Sequence, residues 1–193
     1  AGVGDAVRAD ARATVDALRA RGVRVLVLSG DHPDVVARVA GQLGIAPEDA
    51  RGGLTPEAKR DVVARLTAGP ERRGSVVMVG DGVNDAAALA LADVGIAVHG
   101  GAGASIVAAD VVLTREGTAP VLDVLDGARS VFRVIARNLG LSLAYNAAGA
   151  TLAVLGLVSP LLAAVLMPAS SLTVTLSSAF SRTFVTGGER RRA

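Results

Sequence analysis

The feature that most restricts the fold is a long stretch without charged side chains near the carboxyl end. Residues 138–181 contain no Asp, Glu, Lys or Arg. A helix that crosses the hydrocarbon core of a bilayer needs about 20 mostly apolar residues, so this stretch is long enough for two. Glycine, serine and proline within residues 156–160 provide a break between them. The stretch predicts a hairpin of two membrane-spanning helices, and the alternative is a buried helical hairpin in a soluble domain.

Basic residues flank this stretch on both sides. They are Arg129, Arg133 and Arg137 before it, and Arg182, Arg190, Arg191 and Arg192 after it. Basic residues concentrate on the cytoplasmic side of membrane spans. We therefore expect a multi-pass protein of the cell membrane, in contact with lipid, with residues 1–137 and the carboxyl-terminal tail in the cytoplasm.

Residues 1–117 have the pattern of a soluble α/β domain. Strands are expected at residues 23–28, 76–79, 94–98 and 111–113, and helices at residues 10–21, 33–43, 57–66 and 84–91. Apolar strands that alternate with helices are typical of a parallel sheet covered on both faces. Residues 118–193 are expected to contain a connecting helix from residue 122 onward, the hairpin and a basic tail.

The composition excludes several kinds of site and partner. The sequence contains no Cys, which excludes disulfides and thiolate metal sites within it. Aromatic residues make up only 2% and the arginines are spread along the chain, so we do not expect nucleic acid as a partner. Lys59 is the only lysine among 20 basic residues. The chain begins at Ala1 without Met and without a signal-peptide pattern, and we expect it to be a fragment.

A candidate metal site follows the strand expected at residues 76–79. The sequence there continues as Gly-Asp-Gly-Val-Asn-Asp, with the two carboxylates at Asp81 and Asp85. In open α/β sheets, ligands bind at the carboxyl ends of strands. Two carboxylates four residues apart could converge on one cation, and carboxylates, water and a phosphate are ligands that suit Mg²⁺. The alternative is an ordinary surface turn, because Asp-Gly is a common turn dipeptide.

Two other segments could complete a site for a phosphate group. Ser29 and Gly30 offer a hydroxyl and a backbone N–H at the start of a helix, where anions are favoured. Lys59 offers a compact positive charge. A hydroxyl, an ammonium group and Mg²⁺ carboxylates are the parts that phosphoryl transfer requires. Considered singly, Ser29 could be a simple helix cap and Lys59 a solvated helix residue.

Three motifs in this order resemble the P-type ATPases, specifically the heavy-metal-transporting class. They are Ser-Gly-Asp at residues 29–31, Thr-Pro-Glu-Ala-Lys at residues 55–59, and Val-Gly-Asp-Gly-Val-Asn-Asp-Ala at residues 79–86. The resemblance extends over essentially the whole chain. It implies the second half of a phosphorylation domain with the haloacid-dehalogenase fold, which has a Rossmann-like parallel sheet, followed by the last two membrane helices.

The resemblance implies roles for residues of the first two motifs. Ser29 and Gly30, in a motif that Asp31 completes, would hold the transferred phosphate, and Lys59 would neutralise it. The reaction would use ATP, bound mainly by domains outside this chain.

The resemblance also implies roles in the third motif. Asp81 would bind Mg²⁺, with Asp85 in support, and Asn84 would help to organise the phosphate and the metal. Asp5 and Arg8 resemble the Asp-x-x-Arg with which the family begins this segment.

The sequence departs from the family pattern in three respects. The Asp-Lys-Thr-Gly-Thr motif that carries the phosphorylated aspartate is absent, so we expect that aspartate outside this chain and residues 1–193 alone to be inactive. Ala87 stands where the family often has proline, and residues 100–104 match the family's Gly-Thr-Asp-rich loop only loosely. The contribution of that loop is left open.

Four residues of the predicted hairpin are candidate ligands of a transported ion: Tyr145, Asn146, Met167 and Ser171. A buried thioether suits Cu(I), and an Asn within a membrane span is costly and often functional. These residues resemble the copper-type members, which implies an ATP-driven Cu(I) exporter, with a metallochaperone as one route of delivery. Alternatives are a pump for another heavy metal such as zinc or cadmium, a membrane-tethered haloacid-dehalogenase phosphatase, and a non-catalytic remnant.

Overall fold

The computed structural model describes residues 7–70, 72–81, 83–157 and 159, together with the isolated positions 168, 172, 175 and 176. The chain divides into two compact units, Ala1–Leu122 and Asp123–Ala193. The predicted ion ligands Met167 and Ser171, the basic tail and Asp5 lie outside the described residues.

Helices and strands alternate along the first unit, as predicted. In chain order the elements are α1 (Ala11–Ala20), β1 (Val27–Leu28), α2 (Pro33–Gln42), β2 (Ala50–Arg51), α3 (Pro56–Thr67), β3 (Val77–Gly80), α4 (Ala86–Leu91), β4 (Val94–Ala97), α5 (Gly103–Ala108), β5 (Val111–Val112) and α6 (Ala119–Val154). Short 3₁₀ turns cover Pro47–Asp49 and Val83–Asp85. The α/β class is confirmed, while β2 and α5 were not predicted.

The strands are parallel, as predicted, but they form two sheets. In one sheet β1 pairs with β2, with Val27 opposite Ala50. In the other sheet the order is β3-β4-β5, with Gly80 opposite Ala97. The strand expected at residues 23–28 is reduced to two paired residues, because its partner β2 is itself only two residues long.

Local sequence signals set the ends of the helices. The hydroxyl of Thr55 accepts a hydrogen bond from the backbone N–H of Ala58 at 3.2 Å, which caps α3, and Pro56 occupies the first helical position. Gly22 and Gly44 follow α1 and α2 with φ values of 76° and 68°. L side chains rarely adopt this backbone conformation, so glycine ends both helices with little strain.

Apolar side chains beneath the helices hold the first unit together. Ala11, Val15, Ala40, Leu43 and Ile45 form one buried cluster between α1, α2 and the segment that follows α2. Around the second sheet, the largest fully buried apolar side chains are Leu89 of α4, Ile96 of β4 and Val63 of α3. Each such side chain contributes about 1.5–3 kcal/mol when fully buried. The burial of α3 and α4 together fixes the helix that carries Lys59 beside the end of β3.

The second unit contains most of α6, which runs for 36 residues and stops just before Gly156, whose φ is 72°. This end agrees with the predicted break. Among the described residues, no helix is both long enough and apolar enough to cross a membrane. The predicted first span therefore finds no support in the structure, because polar residues such as Asn138 and Asn146 interrupt the apolar sequence of α6 after Arg137. The second predicted helix lies mainly outside the described residues.

Candidate active site

The carboxyl end of β3 places two acidic residues at the edge of the second sheet. Asp81 directly follows the last strand residue, Gly80, and its side chain is exposed. The 3₁₀ turn Val83–Asp85 then leads into α4, so that Asp85 turns back toward the sheet and is buried. One carboxylate therefore faces solvent while the other lies inside the domain.

Asp85 is paired with Lys59 of α3. The ammonium nitrogen of Lys59 donates to Asp85 Oδ1 at 2.8 Å. The two side chains are only 13% and 12% exposed. A charged group that is largely removed from water requires a partner, and here each ion supplies it for the other. The structure thus joins two residues for which the sequence indicated separate roles.

Gly80 makes room for the Asp85 side chain against β3. A Cβ atom added at Gly80 would lie 2.9 Å from the Cβ of Asp85 and 3.1 Å from its Oδ2. Non-bonded carbon atoms do not lie this close together, so a side chain at Gly80 would force Asp85 to move. Sequence reasoning missed Gly80, although a glycine at the last position of an otherwise apolar strand is a recognised sign of close backbone approach.

The predicted phosphate cradle is a hydrogen-bonded turn after β1. Ser29 Oγ donates to Asp31 Oδ2 at 2.9 Å and accepts from the backbone N–H of Asp31 at 3.2 Å. The backbone of Ser29 is tied to Arg51 of β2, and its carbonyl oxygen accepts from the N–H of Leu54 at 3.0 Å. Because Leu54 directly precedes the cap of α3, the Ser29 turn is anchored to the start of the helix that carries Lys59.

The Ser29 turn and the Asp81 edge are not joined by a direct contact. Within the described part of the chain, no hydrogen bond or ion pair links Ser29 or Asp31 to Lys59, Asp81 or Asp85. Gly30 is exposed, and a Cβ atom there would lie 3.3 Å from the carbonyl oxygen of Leu54. The turn thus exposes Gly30, while the backbone of Ser29 on one side of it is hydrogen-bonded to Arg51 and Leu54.

A domain of known type covers this whole site. The sequence profile of haloacid dehalogenase-like hydrolases matches residues 2–93. The chain contains a haloacid dehalogenase-like hydrolase domain.

The chain's homologues are heavy-metal P-type ATPases. A manganese-exporting P-type ATPase of Mycobacterium leprae is 47% identical over 178 residues, which are 90% of this chain and 24% of that protein. A copper-exporting P-type ATPase of Mycobacterium tuberculosis is 40% identical over 182 residues, 94% of this chain and 23% of that protein. The crystal structure of a zinc-transporting PIB-type ATPase in the E2.Pi state superposes with a TM-score of 0.84 at 30% identity, covering 94% of this chain and 28% of that one. The chain therefore spans about a quarter of the length of these relatives.

The acidic residues of the haloacid dehalogenase-like domain fit Mg²⁺ by the chemistry of their donor groups. Mg²⁺ is usually held by one or two carboxylates, with water and substrate phosphate as its other ligands. Asp81 offers an exposed carboxylate, and Asp85 keeps Oδ2 while Oδ1 binds Lys59. Among the described residues no group of three or more His, Cys, Asp or Glu side chains gathers in one place, so a site built entirely from protein ligands is not present there.

Among the described residues, no hydrogen bond or ion pair joins the other predicted site residues to the Lys59–Asp85 pair. Asn84 is exposed in the 3₁₀ turn. Arg8 is exposed and lines an open cleft with His99 and Glu116. Tyr145 and Asn146 lie on α6 of the second unit, where Asn146 is exposed and Tyr145 is half-buried.

Asp10 has a structural role in this domain that the sequence did not indicate. Its Oδ2 accepts backbone N–H groups from Thr118 at 2.6 Å and Ala119 at 2.9 Å, at the start of α6. The hydrogen bond from Ala119, with that from Thr118, lowers the pKa of Asp10 below its ordinary value. The residues involved are more than 100 positions apart, and no local pattern marks them as partners.

Proposed function

We propose that the chain is the carboxyl-terminal part of an ATP-driven heavy-metal pump. In the complete protein, ATP would phosphorylate an aspartate that lies outside residues 1–193. The buried Lys59–Asp85 pair, set beside the exposed carboxylate of Asp81, is the observation that carries this proposal. Sequence identities of 47% and 40% to two P-type ATPases, each over at least 90% of the chain, support it.

Each residue of the site has a defined task in this proposal. Asp81, with Asp85 in support, would hold Mg²⁺, which neutralises charge on a phosphoryl group. Asp85 binds one side of the Lys59 ammonium group. An ammonium group has three donors, so two remain for phosphate oxygens. Ser29 and Gly30 would hold the phosphate through a hydroxyl and a backbone N–H. These roles agree with what phosphoryl transfer requires, because catalysis of that reaction consists mainly of positioning the phosphoryl group and neutralising its charge.

The second part of the proposal concerns the membrane. The absence of charge from residues 138–181 and the relation to P-type ATPases support a membrane hairpin whose two ends are cytoplasmic. In this arrangement α6 would enter the bilayer after Arg137.

We further propose Cu(I) as the transported ion, with a metallochaperone as its source. Tyr145, Asn146, Met167 and Ser171 would line the route, and residues 138–181 contain no carboxylate. A thioether and neutral oxygens suit a soft monovalent cation, whereas a divalent cation in a medium of low dielectric calls for a charged ligand. Relatives named for the export of manganese, copper and zinc align with the chain, so the other metals are outcomes of the test.

The test requires the full-length protein that contains these residues. Purified protein should hydrolyse ATP in a metal-stimulated reaction and form a phosphoenzyme that hydroxylamine cleaves, as expected of an acyl phosphate. Cu(I), Zn(II) and Mn(II) would be compared under one set of conditions. Phosphatase activity without metal stimulation would favour a membrane-tethered hydrolase and would refute the pump.

A further inference from the structure

We infer that the loop after β4, residues 98–102, positions Asp81, and that Gly101 is the residue that makes this contact sterically possible. This inference rests on the proposed function, because it assigns Asp81 to the Mg²⁺ site. It concerns the glycine-rich segment whose contribution the sequence left open.

The backbone pairing of β3 and β4 continues past the ends of both strands. The last residue pair of the two strands is Gly80 with Ala97. Beyond it, the N–H of Val98 donates to the carbonyl oxygen of Gly80 at 3.1 Å. The N–H of Ala102 donates to the carbonyl oxygen of Asp81 at 2.8 Å. The loop therefore holds the backbone of the residue that carries the exposed carboxylate.

The close approach of the loop to Asp81 depends on the absence of a side chain at Gly101. A Cβ atom there would lie 3.1 Å from the carbonyl oxygen of Val98, 3.3 Å from that of Asp81 and 3.6 Å from the Asp81 Cα. All three neighbours are backbone atoms, which cannot turn aside as a flexible side chain can. A larger residue at Gly101 would have to push the loop away from Asp81.

The two carboxylates are thus held in different ways. Asp85 is fixed through its side chain by Lys59. Asp81 forms no side-chain hydrogen bond or ion pair within the described residues, and its position depends on the backbone contact from Ala102. Mg²⁺ demands near-ideal octahedral geometry. A shift of the Asp81 backbone should therefore weaken Mg²⁺ binding before it affects the stability of the fold.

The test compares Gly101→Ala and Gly101→Val with Gly103→Ala in the full-length protein. Gly103, the first residue of α5, is a nearby control, because a Cβ atom there meets nothing within 4 Å. Two quantities are measured: the Mg²⁺ concentration that gives half-maximal phosphorylation by inorganic phosphate, and the rise in unfolding temperature that Mg²⁺ produces. Unfolding in EDTA reports the stability of the fold without metal.

For Gly101→Val we expect half-maximal phosphorylation to require about tenfold more Mg²⁺, the usual effect of removing a group that orients a metal ligand. The same rise in unfolding temperature should also require about tenfold more Mg²⁺. High Mg²⁺ should restore phosphorylation, and the unfolding temperature in EDTA should stay close to that of the wild type. Gly101→Ala should show a smaller shift in the same direction, and it carries the test if the valine variant does not fold. Gly103→Ala should match the wild type.

Two results would overturn the inference. One is an unchanged Mg²⁺ dependence in both Gly101 variants. The other is a lower unfolding temperature in EDTA with no change in the Mg²⁺ requirement, which would mark Gly101 as structural only. A wild-type protein that shows no metal-stimulated ATPase activity but is stabilised by Mg²⁺ in a Gly101-dependent way would refute the pump and leave this inference standing.

Discussion

The ammonium nitrogen of Lys59 lies 2.8 Å from a carboxylate oxygen of Asp85, although 26 positions separate the two residues in the chain. Lys59 belongs to α3, and Asp85 ends the 3₁₀ turn after β3. The packing of α3 against α4 brings the two charges together in a largely buried place. The only lysine of the chain is thereby oriented by one of the two acidic residues of the candidate metal site.

Loss of one member of this pair should destabilise the domain. Lys59→Met leaves the Asp85 carboxylate buried without a partner, which should lower the free energy of unfolding by about 3 kcal/mol. The double variant Lys59→Met/Asp85→Leu should lose less than the sum of the two single variants. Denaturation of each variant of the chain in mild detergent measures its free energy of unfolding. The control is Arg60→Gln, which removes an exposed charge one position along α3 and should leave stability nearly unchanged.

Asp81→Asn should abolish Mg²⁺-dependent phosphoenzyme formation by the full-length protein and spare the fold. The change removes a carboxylate from a cation that neutralises phosphate charge, and we expect a loss of at least about a hundredfold in the rate. Radiolabelling from ATP measures the rate, and thermal unfolding checks the fold. Glu48→Gln, at an exposed carboxylate elsewhere in the unit, should label normally. Normal labelling of Asp81→Asn would make Asp81 an ordinary turn residue.

Gly80→Ala should displace Asp85. The new methyl group would lie 2.9 Å from the Asp85 Cβ, and overpacking of this kind costs about 1–3 kcal/mol. Phosphoenzyme formation should fall as well, because Lys59 and Asp85 would move together. Gly74→Ala provides the comparison, since a Cβ atom at Gly74 meets nothing within 4 Å. Equal effects of the two substitutions would contradict the contact with Asp85.

The hydrogen bonds of Asp10 to the start of α6 should make stability depend on pH. The pKa of Asp10 is lowered by the backbone N–H groups of Ala119 and Thr118. A lowered carboxyl pKa contributes stability above the unfolded value, near 3.8, and this stability is lost as the pH falls through the folded pKa.

The measurement is the difference in unfolding free energy between the wild type and Asp10→Ala. The difference should be about 1 kcal/mol at pH 7, the usual worth of a helix cap. It should shrink as the pH falls below 3.8. Asp10→Asn keeps an acceptor oxygen and should retain part of the stability at all pH values. A difference that does not change with pH would show that the carboxylate charge has no part in the contact.

Met167→Ala should weaken the activation of the complete pump by Cu(I), because it removes the proposed thioether ligand. Phosphorylation by inorganic phosphate uses the Asp81 site and should remain intact. The measurement is the Cu(I) concentration at half-maximal ATPase activity, with Zn(II) as the comparison ion. Equal stimulation by Zn(II), or an unchanged copper dependence of Met167→Ala, would refute Cu(I) as the specific ion and leave the broader heavy-metal proposal.

Signals that act within a few residues were sufficient to predict much of the fold. Thr55 and Pro56 marked the start of α3, and Gly22 and Gly44 marked the ends of α1 and α2. The apolar run before Asp81 marked β3. These predictions succeeded because caps, turns and apolar runs determine local backbone conformation. The strand β2 escaped prediction because Ala50 and Arg51 carry no strand pattern and acquire their conformation only by pairing with β1.

The sequence alone determined most of the helices and strands, the motifs of the candidate site and the long stretch without charge. Only the tertiary structure decided which of those parts meet. It pairs Lys59 with Asp85, ties Asp10 to the start of α6, and sets the loop at Gly101 against the backbone of Asp81. These contacts join residues far apart in the chain, and their geometry follows from how α3, α4 and the strands pack. A sequence pattern specifies the conformation of a segment, whereas distances between segments arise only when the whole unit folds.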